Sequence, residues 1–164
     1  MKLLLTALIL INACSQAPLI DCMYYVDGIC VNDSVHELDH TMIDNTVQLT
    51  QRLVNERFGV ALNLPQLIED NGLSLEVVSS GSMPGAIGRF YTYGLIDFDY
   101  DNALYPEEVH CLSDVLAHEL LHFILLNYFL VPDDINLNHK RADIYGQTNS
   151  LMYDFYIIRR NECK

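Results

Sequence analysis

Apolar positions recur every three or four residues at Val35, Leu38, Met42, Val47, Leu49, Leu53 and Val54. This rhythm predicts a long amphipathic helix from about Ser34 to Phe58. Ser34 with Glu37 three residues on forms a capping box, and Gly59 is a good stop. Upstream, Met23 to Val31 reads as a short hairpin turning at Asp27-Gly28. Beyond the helix, Val60, Leu62 and Leu64 alternate with polar neighbours, which predicts a strand broken at Pro65. Leu73 to Val78, Ile87 to Tyr93 and Leu95 to Tyr100 read as further strands, with a Gly-rich loop over 81–88.

The second helical stretch differs in kind. Pro106 fits a first turn, Glu107 and Glu108 suit its positive end, and a nearly continuous apolar run follows to about Tyr128. That helix starts near Glu107 or Cys111 and stops before Pro132. Residues 133–150 are polar and read as a loop with room for one short helix. Asp154 to Arg160 read as one or two terminal helical turns.

Within the apolar run stands His118-Glu119-Leu120-Leu121-His122. Residues four apart on a helix share a face, so His118 and His122 can offer two imidazoles to one cation. Glu119 lies where a carboxylate can serve as general base. The pattern occurs twice, since His36-Glu37-Leu38-Asp39-His40 also fits. Context separates the copies. Leu-Leu between the ligands and Phe123-Ile124 after them suit a helix buried behind a site. Asp39, with Asp33 and Ser34 upstream, makes the first copy the solvated opening of a surface helix.

A catalytic zinc site takes three protein ligands and keeps one position open. Downstream of His122 the only histidine is His139, and no Glu occurs before Glu162. His139 is therefore the first choice for third ligand and Asp143 the alternative. Each has a plainer reading, a solvated loop residue. Asp114, one turn before His118, could orient a ligand or simply face solvent.

The N-terminal residues change the picture of location. Lys2 precedes the apolar run Leu3 to Ile11, which is too short to span a membrane but suits a signal peptide over residues 1–13. Ile11-Asn12-Ala13-Cys14 resembles a bacterial lipobox, which implies lipidation of Cys14 and anchoring to the cell envelope; an ordinary secreted chain is the alternative. Residues 14–33 then serve as linker and hairpin, and residues 34–164 form one domain. Cys22, Cys30, Cys111 and Cys163 fit export, with Cys22–Cys30 and Cys111–Cys163 the preferred pairing of three possible. Acidic residues outnumber basic ones 22 to 9, giving a net charge of −13. That charge disfavours nucleic acid or an anionic surface as partner. An apolar content of 51% excludes a disordered chain.

Past His139 comes Asn149-Ser150-Leu151-Met152-Tyr153. With the His118 motif, this sequence resembles the metzincin family of zinc peptidases, which place a Met in a tight turn beneath the metal. The resemblance covers roughly residues 34–160. It implies an α+β fold: a twisted mixed sheet with a long N-terminal helix, an active-site helix, and a small C-terminal part carrying the Met-turn. It implies His118, His122 and His139 on zinc, Glu119 as base and Met152 as platform, acting on a peptide or protein substrate. Two positions depart from the family pattern. Leu125 stands where a Gly turns the chain out of the helix, and Tyr128 where the third His belongs. The rival expectation is a non-catalytic metal-binding or structural surface lipoprotein.

Overall fold

The computed structural model of the protein describes residues 21–33, 38–78, 83, 86–99 and 111–163. The expected leader and Cys14, the first-copy residues His36 and Glu37, and Pro106 to Glu108 lie outside these residues.

The fold is α+β. Strands β1 (Tyr24–Val26) and β2 (Ile29–Asp33) form the hairpin, turning at Asp27 and Gly28, both with positive φ. Helix α1 spans His40–Phe58, α2 Leu64–Asn71, and strands β3, β4 and β5 span Ser74–Val78, Gly88–Tyr91 and Leu95–Asp99. Helix α3 is Asp114–Asn127. Two single-turn helices, α4 (Asp133–Asn136) and α5 (Ala142–Tyr145), precede α6 (Leu151–Glu162).

Among the described residues the sheet has five strands in the order β1-β2-β3-β5-β4. It is mixed: β2, β3 and β5 run parallel, while β1 and β4 pair antiparallel at the two edges. The hairpin therefore belongs to the same sheet as the rest of the domain. Helices α1, α3 and α6 pack on one another, and α3 also meets β4 and β5. Met42, Leu75, Phe98, Leu116, Phe123 and Phe155 are fully buried. Each such side chain contributes about 1.5–3 kcal/mol by leaving water.

Several expected boundaries move, each for a local reason. Helix α1 starts at His40 rather than after Ser34, because Asp39 takes the cap and accepts from the Thr41 N–H at 2.8 Å. The strand expected from Val60 does not form: residues 60–63 are irregular and Leu64–Asn71 is a helix. The Asn63 side chain accepts from the Gln66 N–H, Pro65 occupies the first turn, and Leu64 and Ile68 share the buried face. Helix α3 begins at Asp114, capped by Ser113, whose Oγ accepts from the Leu116 N–H at 3.1 Å. Helix α6 begins at Leu151 rather than Asp154, since Ser150 caps it. Met152 is thus the second residue of a helix and not part of a tight turn; it packs half-buried against the core.

Disulfides join Cys22 to Cys30 and Cys111 to Cys163, the expected pairing. The second clamps the start of α3 to the end of α6. Disulfides suit an exported protein. Among the described residues no helix is long and apolar enough to cross a membrane.

Candidate metal centre

Helix α3 is buried almost all round, with Leu116, Ala117, Leu120, Leu121, Phe123, Ile124 and Leu125 in the core. A helix set this deep can hold ionisable groups only where a cavity or a partner receives them. His118 and His122 project one turn apart, ring centroids 5.0 Å from each other.

The chain leaves α3 without the glycine of the family pattern. Leu125 stays helical and Tyr128 caps the end. The reversal comes at Leu130, which adopts φ 53, while the Val131 N–H donates to the Leu125 carbonyl at 2.9 Å. That is a left-handed helix stop built on a residue with a Cβ. Helix α4 follows, and the next turn delivers His139, also left-handed at φ 53, with its N–H on the Asn136 carbonyl.

The result is three imidazoles facing one point. The Nε2 atoms of His118 and His139 are 2.9 Å apart, those of His122 and His139 3.1 Å, and those of His118 and His122 3.3 Å. A cation holding nitrogen at about 2.0–2.1 Å in tetrahedral geometry sets its ligands about 3.3 Å from one another. The observed triangle is close to that size. Three ring nitrogens at such separations cannot all satisfy one another as neutral donors and acceptors, whereas one cation satisfies all three lone pairs. The cluster His118, His122 and His139 can hold a metal ion.

The protonation of His122 is fixed by a neighbour. Asn136, buried to 1% exposure, donates from Nδ2 to the His122 carbonyl at 2.9 Å. That turns its Oδ1 toward His122 Nδ1 at 2.8 Å. An amide oxygen only accepts, so Nδ1 carries the proton and Nε2 keeps its lone pair for a metal. Burial, with the neighbouring imidazoles, lowers His118 to about 3. Burial lowers His122 to about 4 against the opposing pull of Asn136. Both rings are neutral, and so able to bind, at pH 7.

Glu119 is buried beside them. Burial raises its carboxyl to about 7, opposed by the Phe90 N–H and by Arg89. Strand β4 approaches at Gly88, where an added Cβ would stand 2.6 Å from Val115 Cγ1 and 2.9 Å from Glu119 Oε1. Gly88, Arg89, Phe90, His118, Glu119, His122, Leu137 and His139 line a cavity of about 330 Å³.

Other expected site residues lie elsewhere. Asp143 does not reach the triad: Arg141 holds both its oxygens, at 2.8 and 2.5 Å, and keeps its carboxyl below the usual range. Asp114 faces Arg159 at 2.8 Å and ties α3 to α6 instead of orienting a ligand. His40, from the first H-E-x-x-H copy, stacks on Tyr24 with centroids 4.1 Å apart. Three contributors carried no signal in the sequence. Asn136, Tyr145 and Gly88 belong to no spacing that marks them, and only the return of the loop and the edge strand brings them to α3. Family models, curated proteins and solved structures offer no match to this chain.

Proposed function

We propose that the protein is an exported zinc-dependent peptidase. The observation that carries this reading is the near-tetrahedral Nε2 triangle with a buried carboxylate next along the helix, in one cavity. Three imidazoles converging on one point beside a cavity suit zinc among the divalent ions and resemble its catalytic, rather than structural, sites. Glu119, held near neutral pH in its proton affinity, suits a general base that must both take and return a proton.

His118, His122 and His139 would hold a zinc ion, which would supply Lewis acidity toward a substrate carbonyl and toward water. Glu119, the buried carboxylate next along the helix, would serve as general base toward a water molecule and as acid toward the departing amine. Asn136 keeps His122 in the ligating tautomer throughout. Strand β4 is an edge strand that lines the cavity, so an extended peptide laid along it by strand pairing would bring its backbone past the imidazoles. The metzincin resemblance points the same way. The H-E-x-x-H helix and a third histidine support it, while Leu125 and the helical Met152 depart from the family pattern. The lipobox-like Ile11 to Cys14 supports lipid anchoring at the envelope.

The test is a pair of measurements on the purified protein. Zinc content should approach one per chain, and Glu119→Gln should keep the zinc while losing cleavage of a broad peptide panel. A wild type that holds zinc and cleaves nothing would favour the metal-binding lipoprotein. A chain that takes up no zinc would remove the metal reading altogether.

A further inference from the structure

We propose that Tyr145 is the positioning residue of the imidazole triad: its ring is the floor on which His118, His122 and His139 rest. This rests on the metal reading above and adds a residue that the H-E-x-x-H pattern does not contain.

The Tyr145 ring centroid lies 5.0 Å from that of His118, 5.1 Å from His122 and 4.7 Å from His139. One aromatic ring thus touches all three ligands, which come from two separate elements. The contact angles differ, 46°, 29° and 74°. His122 stacks, His118 tilts and His139 meets it edge-on, as three rings converging on one point from a common base must do.

Tyr145 is itself held firmly. Its N–H donates to the Arg141 carbonyl at 2.9 Å and closes the single turn of α5. Ile144 anchors that turn in the core at 1% exposure. Gly146 follows at a place where a Cβ would stand 2.4 Å from the Ala142 carbonyl oxygen, and Ser150 Oγ donates to the Gly146 carbonyl. A ring fixed in this way limits rotation of the imidazoles.

The hydroxyl has a smaller part. It lies 3.0 Å from His122 Nδ1, whose proton already goes to Asn136 at 2.8 Å. The Tyr145 oxygen can only share that proton. The ring should therefore matter more than the hydroxyl. Loss of a group that orients metal ligands typically weakens affinity about 10–100-fold.

Cobalt(II) titration of the full chain tests this, with affinity and the visible absorption spectrum as readouts. Tyr145→Leu should weaken cobalt binding about 10–100-fold and alter the spectrum. Tyr145→Phe should restore the wild-type spectrum, with affinity within roughly threefold of it, since only a shared hydrogen bond is lost. Equal affinity and an unchanged spectrum in Tyr145→Leu would overturn the inference and leave the metal reading standing. A wild type that binds no cobalt overturns both. If Tyr145→Leu does not fold, proton NMR of the metal-free wild type decides: cross-relaxation from the Tyr145 ring to all three imidazoles is expected, and its absence overturns the inference.

Discussion

Asn136 grips His122 at both ends, taking the ring Nδ1–H at 2.8 Å and giving a hydrogen bond to the backbone carbonyl at 2.9 Å. The pair joins α4 to the metal face of α3 through two direct hydrogen bonds. Asn136→Ala removes both bonds and frees the ring to exchange tautomers. Zinc affinity, read by competition with a chelator, should fall about 10–100-fold. Thermal unfolding of the metal-free variant should show a loss of about 1–3 kcal/mol, because the His122 carbonyl loses the Asn136 donor and the ring N–H keeps only the Tyr145 hydroxyl.

Gly88 bears on the carboxylate rather than on the histidines. Gly88→Ala sets a methyl 2.6 Å from Val115 Cγ1 and 2.9 Å from Glu119 Oε1, so β4 and α3 must part or Glu119 must swing away. Such overpacking costs about 1–3 kcal/mol. Peptide cleavage should fall further than zinc content does, because the added group meets Glu119 and not the triad. Zinc stoichiometry and turnover measured on the same preparation separate the two effects.

Leu130 offers a test in the opposite direction. It sits at φ 53 with its side chain 78% exposed, so a Cβ is strained there and little apolar burial would be lost. Leu130→Gly should raise stability by about 0.5–1 kcal/mol, and Leu130→Val should lower it. Denaturant midpoints for the three chains give the order directly. A gain with Gly would show that a helix stop built on Leu130 is tolerated at a cost.

These positions also mark how far the sequence could be read. His118, Glu119 and His122 were legible because a four-residue spacing on a helix is local and needs no knowledge of the fold. The cysteine pairs were legible because one closes a short loop and the other joins two helix ends. His139 could be reached by elimination, as the remaining downstream histidine, but its competition with Asp143 could not be resolved. That outcome turns on Arg141, two residues away, claiming the carboxylate. The strand expected at Val60 failed because three alternating residues also fit the entry to a helix, and the Asn63 cap with Pro65 decided for the helix. Asn136 and Tyr145 were invisible because their importance comes from tertiary contact with α3.

The pH dependence of the metal-free protein isolates Glu119. Burial raises its carboxyl from 4.5 to about 7. The folded chain therefore holds that proton more tightly than the unfolded chain, and stability falls as pH rises across that window. His118 and His122 act with the opposite sign. Burial lowers them from 6.5 to about 3 and about 4, so stability falls as pH drops below 6.5. Glu119→Gln removes the first effect and leaves the second. Its unfolding free energy relative to wild type should be constant below about pH 4.5, rise between 4.5 and 7, and level off above. The rise should total about 3 kcal/mol at most, since a tenfold change in proton affinity corresponds to about 1.4 kcal/mol. Unfolding curves of both chains in chelator at several pH values check this. A difference that is flat from pH 4 to 8 would mean that the Glu119 carboxyl is solvated, and with it the case for a buried general base would fall.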